Sequence, residues 1–228
     1  MPSKRLSAEE RKSSIMATAT PLFACRGVNG VTTRQIADAC KISEALLYKH
    51  FPSKEAIFAE IEISISEVDS VVVGAPEGME PGTQALTVLT YLKIRRTVYG
   101  KMDDSFHDDL PRFLLQSLLS GSVAVRAIFD RTTKPFNSYV DECLKHAAEA
   151  GDLEDCRISA NDYQQFIFSI CGSYLLSEIP DEPIMDYGVT GEELVDKLTR
   201  FCLKGLGVTV EAIDKFLDKD KINEFVKK

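Results

Sequence analysis

TTRQIADACKISEALLYKHFPSK, residues 32–54, reads as two short helices joined by a tight turn, with a third helix opening at its end. Thr32 and Gln35 have the spacing of a capping box, in which the Thr hydroxyl accepts a backbone N–H three residues on and the Gln side chain reaches back to the cap. Ile36, Ala37 and Cys40 give the helix that follows a narrow apolar stripe, and Lys41-Ile42-Ser43 interrupts it. Ser43 suits the N-cap of a second helix, predicted over Glu44 to His50, with Glu44 in the first turn where the helix dipole favours negative charge. Leu46 and Leu47 are its only strongly apolar residues before Phe51, so Glu44, Ala45, Tyr48 and Lys49 are left to face outward. Pro52 ends it, because the residue before a proline is driven out of the helical region, and Ser53 caps the next helix.

Two short helices, the first held by packing and the second with its polar side free, match a helix-turn-helix whose second helix lies in the major groove of DNA. The plainer alternative is one more helical hairpin of a larger bundle. The run Thr33-Arg34-Gln35-Ile36-Ala37, then Ser43-Glu44-Ala45-Leu46-Leu47-Tyr48-Lys49-His50-Phe51 and Ser53-Lys54-Glu55, resembles the DNA-binding domain of TetR-family transcriptional regulators, over residues 7 to 60. The resemblance implies that Thr33, Tyr48, His50 and Lys54 mostly contact phosphates while Arg34, Glu44, Ala45 and Lys49 meet base edges. Thr32 and Ser43 complete the candidate DNA-binding set. Phosphate contacts set register and base contacts set sequence. Two of these residues keep a second reading: Tyr48 as a packing residue, and Glu44 as a partner of the helix dipole alone.

Charge is divided along the chain in a way that suits this. The net charge of −8 argues against nucleic acid if taken whole, yet residues 1–54 hold nine Lys or Arg against four acids, a balance of +5, and the remainder carries −13. A basic head can meet phosphates while an acidic body stays off the DNA. At 228 residues with 44% hydrophobic and 27% charged residues, a substantial core is within reach without metals or disulfides. The six cysteines, at 25, 40, 143, 156, 171 and 202, are never closer than 13 residues, which gives no metal-ligand spacing and suits small buried hydrophobes. No apolar run approaches a membrane span, and MPSKRLSAEERK is no signal peptide, so a cytoplasmic protein is expected.

Outside the opening stretch the chain reads as helix after helix. Ser7 and Glu10 form another capping box before Ile15, Ala19, Leu22 and Phe23, and Gly27 and Gly30 stop that first helix. From Lys54 a helix runs through Ile57, Ile61, Ile65 and Val68. Further helices are predicted over 84–99, 111–120, 123–150 with a kink at Pro135, 162–178, 192–204 opened by Thr190 and Glu193, and 209–226. Lys93, Arg95 and Arg96 read as a solvated basic face. His107, beside Asp108 and Asp109, reads as an exposed loop residue rather than a metal ligand. Residues 147–166 also resemble the join before the penultimate helix of TetR-like proteins.

No G-x-S-x-G elbow, P-loop, dinucleotide glycine fingerprint or H-E-x-x-H occurs, and the three histidines, 50, 107 and 146, have no nucleophile at a recognisable spacing. Neither enzymatic activity nor a cofactor is expected. The expected fold is all-α: a three-helix head over residues 1–54, a linking helix over 54–72, and a helical ligand-binding and dimerisation domain over 55–228. The resemblance further implies a homodimer through helices 162–178 and 192–204, a near-palindromic double-stranded DNA operator and release by a small-molecule effector, with no membrane partner. The effector pocket is expected between helices 84–100, 111–120, 123–150 and 162–178, with Phe113, Phe129, Phe136 and Phe166 as candidate lining. An effector-independent factor, an activator, and a helical interaction module or enzyme are the alternatives.

Overall fold

Side-chain caps set where the helices begin. Ser7 with Glu10, Thr32 with Gln35, Ser159 with Asp162 and Thr190 with Glu193 form complete capping boxes. Ser43, Ser53 and Thr209 each accept one backbone N–H, from Leu46, Ala56 and Ala212, at 3.2 Å. Each such cap stabilises its helix by about 1 kcal/mol, by satisfying donors that have no partner inside the helix. The computed structural model describes residues 6–70, 78–99, 109–121, 136–154, 158–180 and 184–226, together with 126, 130 and 182. It is all-helical: among the described residues there are eleven helices and no strand. They are α1 (Ala8–Arg26), α2 (Thr33–Ala39), α3 (Glu44–His50), α4 (Lys54–Ser70), α5 (Thr83–Tyr99), α6 (Leu110–Leu119), α7 (Asn137–Glu149), α8 (Ala160–Ser177), α9 (Gly191–Gly205), α10 (Val210–Phe216) and α11 (Lys219–Val226).

The helices sort into two compact units, one built from α1–α4 and α6, the other from α5 and α7–α11. In the first, Ile15, Ala19 and Phe23 of α1, Ile36 of α2, Leu47 of α3, Ile57 and Ile61 of α4 and Phe113 of α6 share one core, each almost wholly excluded from water. Phe58 joins its aromatic members, edge-on to Phe23 at 5.3 Å and tilted against Phe113 at 4.6 Å. Two glycines shape the exit from α1. Gly27 sits at φ +64° and donates its N–H to Phe23 O at 2.8 Å, and the side-chain oxygen of Gln116 lies 2.8 Å from where a Cβ would be. At Gly30 a Cβ would stand 2.2 Å from the carbonyl oxygen of Arg26, so the chain passes there only without a side chain.

In the second unit α5 is the element against which α7, α8, α9 and α10 pack. Leu86 and Ile94, Val140 and Cys143, Tyr163 and Ile167, Val195 and Leu203, and Ile213 fill its core. Thr87, Thr90 and Thr199 are buried there because their hydroxyls bond the carbonyls one turn back, at 2.9, 2.7 and 2.6 Å. Thr83 to Asp152 (2.7 Å), Tyr139 to Met79 O (2.7 Å) and His146 to Pro81 O (3.0 Å) tie the ends of α5 and α7 to the loops around them.

Four expectations change. The 209–226 segment is two helices, since the chain turns at Leu217 (φ −83°, ψ 64°), which lets both Leu217 and Ile222 be buried. Helix α8 starts at Ala160 rather than 162, where Ser159 caps it. Helix α6 packs on α1 in the first unit. Lys93 is not on a solvated face: it is half-buried and its ammonium donates to the side-chain oxygen of Gln164. His107, Cys156 and most of residues 123–135 lie outside the described residues.

Candidate nucleic-acid interface

The turn between α2 and α3 is closed by backbone hydrogen bonds. Lys41 takes the left-handed conformation (φ +55°), and Lys41 N–H to Asp38 O at 3.1 Å and Ile42 N–H to Ala37 O at 3.0 Å close the end of α2 around it. This aims α3 so that Leu47 (1% exposed) and, just past its end, Phe51 enter the core, while Glu44, Ala45, Tyr48 and Lys49 stay exposed. Leu46, expected wholly in the core, is half-buried.

The other candidate residues surround this helix. Thr32, Arg34 and Ser43 are exposed; Thr33, His50 and Lys54 are half-buried. Thr33 joins the two helices, its hydroxyl lying 3.3 Å from the Glu44 carboxylate and 3.2 Å from the Tyr48 hydroxyl. The Lys54 ammonium donates to Val31 O at 2.9 Å, which fixes its direction and leaves two of its three N–H groups for an anion. Arg34 lies 4.0 Å from Asp38 in a pair exposed on both sides, an interaction of at most about 1 kcal/mol that an incoming phosphate or base would readily replace.

Thr32, Thr33, Tyr48, Pro52, Ser53, Lys54 and Glu55 line a shallow concavity of ≈ 330 Å³ beside α3. Pro52 and Ser53 read from the sequence as a helix stop and a cap, and Ser53 and Glu55 flank Lys54 in the family-like run, yet none of the three is among the candidate DNA-binding residues. The Glu55 carboxyl is held below the usual range chiefly by its own backbone N–H, so that acid is folded back on its helix. The Lys12 ammonium of α1 lies 5.9 Å from the centre of the Phe51 ring, placing a further cation near the end of α3.

The profile of bacterial regulatory proteins of the tetR family matches residues 15–61. Residues 15–61 thus form a head of the tetR-family type. Among curated proteins, the repressor KstR2 of Rhodococcus jostii is 45% identical over 51 residues, 22% of this chain and 25% of that protein. The regulator RutR of Escherichia coli O157:H7 is 25% identical over 163 residues, covering 72% and 71%. The chain thus spans a quarter of the length of KstR2 and about seven tenths of that of RutR. Among solved structures, AibR in complex with isovaleryl coenzyme A and operator DNA superposes with a TM-score of 0.60 over 88% of this chain and all of that one, at 18% identity. That likeness shows a shared all-helical fold.

Of the four phenylalanines expected to line an effector pocket, the three described ones have different surroundings. Phe113 is fully buried in the core of the first unit against Phe58, because the apolar face of α6 is taken up by α1 and α4 partners rather than by a cavity. Phe166 is 54% exposed on the outer side of α8. Phe136 is half-buried ahead of α7, and Phe129 lies outside the described residues.

Proposed function

We propose that this protein is a sequence-specific transcriptional regulator that binds a near-palindromic operator as a homodimer and is released from it by a small molecule. The observation that carries the reading is α3, which buries Leu47 and Phe51 yet presents Glu44, Ala45, Tyr48 and Lys49 from the basic end of an otherwise acidic chain. Thr33, Tyr48, His50 and Lys54 engage phosphates; Arg34, Glu44, Ala45 and Lys49 read bases; Thr32 and Ser43 fix the starts of the two helices against the duplex. That KstR2 is a repressor, and that AibR is found with both a ligand and operator DNA, supports repression relieved by a ligand.

A single seven-residue helix is too small to be selective, and a dimer reads two half-sites about 34 Å apart. Helices α8 and α9 support the pairing, since Phe166, Phe168, Leu176 and Phe201 are exposed on them and large exposed apolar groups in one region mark interfaces. The ligand acts by stabilising a conformation in which the two α3 helices no longer match that spacing, with a coupling of about 1 to 3 kcal/mol.

The test is selection of a randomised duplex pool by the purified protein near physiological salt, followed by sequencing. Enrichment of a near-palindrome is expected. Retention that is equal for all sequences and disappears with salt would leave only the electrostatic attraction to phosphates and refute sequence-specific regulation.

A further inference from the structure

Helix α5 carries a cation into the second unit. Lys93 is half-buried, and its ammonium donates to Gln164 of α8, itself only 2% exposed. One turn along α5, the Thr97 hydroxyl donates to Lys93 O at 3.0 Å and is hydrogen-bonded to the Cys171 thiol of α8. Lys93, Thr97, Gln164 and Cys171 therefore form one polar cluster between α5 and α8, on the face that positions 93 and 97 share.

An ammonium withdrawn from water is costly unless an opposite charge faces it. Among the described residues no carboxylate acts on Lys93; the titratable group that does is the Cys171 thiol. The acids that approach α5 lie elsewhere. Glu192 and Asp196 of α9 act on Tyr91 and are themselves engaged by Lys219 and Arg200. Asp214 of α10 bonds Arg200 at 2.5 Å. From α7 and α9 the groups acting on the neighbouring Tyr163 are the thiols of Cys143 and Cys202. Gln164 satisfies one of the three ammonium N–H groups and brings no charge. Burial accordingly pulls the Lys93 pKa down to about 8, so the side chain is still mostly cationic near neutrality.

We propose that Lys93 anchors an anion subsite in the second unit, taking the carboxylate of a small organic acid with the Gln164 amide as neutral partner. A single cation beside an amide N–H donor matches one negative charge with several lone pairs. A phosphate would draw on Arg96 as well, which is half-buried one turn from Lys93. The proposal rests on the ligand-responsive reading above and names the chemical class of that ligand.

Calorimetric titration of the full chain, without DNA, tests it with n-alkyl carboxylates from acetate to decanoate, the matching primary amides, and inorganic phosphate. At pH 7 at least one carboxylate binds, and its amide binds at least about tenfold more weakly. Because the ligand needs the ammonium form, affinity falls as pH rises through 8, approaching about tenfold per unit beyond it. Lys93→Met abolishes binding and the pH dependence; Lys93→Arg keeps carboxylate binding and removes the fall between pH 7 and 9. Circular dichroism of each variant establishes that it is folded. Equal binding of acid and amide, carboxylate affinity unchanged in Lys93→Met, or no binding by any probe would overturn the proposal. Phosphate binding in place of carboxylate would overturn the assignment of the ligand class. Failure here leaves operator enrichment untouched, whereas failed enrichment with intact carboxylate binding would overturn the regulator reading instead.

Discussion

Thr33 and Tyr48 show how one residue serves packing and recognition at once. Their hydroxyls are 3.2 Å apart across the two helices, and Tyr48 is half-exposed, so the ring stands on the protein while its oxygen faces outward. Tyr48→Phe removes a neutral contact made at the surface. It is expected to change stability by no more than about 1 kcal/mol and to weaken binding to all duplexes by a similar factor, while Lys49→Ala alters which sequence is preferred. Fluorescence anisotropy with the selected operator and single-base variants separates the two; a change in preference for Tyr48→Phe as large as that for Lys49→Ala would refute the division of roles. Backbone positions rank differently. Thr32→Ala loses a capping box, at about 1 kcal/mol, whereas Gly30→Ala drives a methyl to 2.2 Å from a fixed carbonyl and is expected to cost about 2 to 3 kcal/mol. Urea denaturation giving Thr32→Ala the larger loss would contradict the close approach seen at Gly30.

At the scale of elements, the attachment of α6 is the informative case. Ser117 of α6 donates its hydroxyl to the Glu62 carboxylate of α4, and both side chains are buried. Removing the hydroxyl leaves a buried acceptor without that donor, so Ser117→Ala is expected to destabilise by about 1 to 3 kcal/mol. Adding Glu62→Gln to it should restore part of the loss, since the amide carries no charge and supplies its own donor. A double-mutant cycle in which the two changes simply add would show that the pair is not coupled. None of this could be read from α6 alone, because an amphipathic pattern announces an apolar face and not its partner; Phe113 therefore fitted a pocket in the sequence and a core in the structure. Caps were legible, as at Ser7, Thr32, Ser43 and Thr190, because donor and acceptor lie three residues apart. The break at Leu217 was not, since no glycine or proline marks it and the apolar spacing continues on both sides. The outward face of α3 followed from Leu47 and Phe51 a few residues away. The bond from Thr33 to Glu44 and Tyr48 spans 11 and 15 residues, beyond any local signal. Lys93 looked like one of three surface cations until Gln164, 71 residues on, was found to hold it.

For the whole molecule the decisive quantity is how many reading helices act together. On the proposed reading, a net +5 on residues 1–54 against −13 on the rest would hold a protomer on DNA by one end and supply little selectivity, so specificity would depend on a second copy. Phe201 lies on the outer face of α9, 67% exposed between Lys197 and Lys204, and Phe166 on α8 is 54% exposed. An apolar ring that contributes nothing to its own unit's core is expected to contribute to the joint between protomers. Phe201→Glu should then leave the circular dichroism spectrum close to unchanged, because the ring is not part of the buried core. Sedimentation should show the mass falling from two chains to one at micromolar concentration. Operator affinity should fall by about 100-fold or more, the usual loss when two linked binding events become one, while binding to random duplex changes little, since the phosphate contacts of each head remain. A variant that stays dimeric and keeps its operator affinity would place the joint on another face of the second unit; one that becomes monomeric yet still selects the same near-palindrome would break the link between pairing and sequence recognition on which the proposed mechanism of release depends.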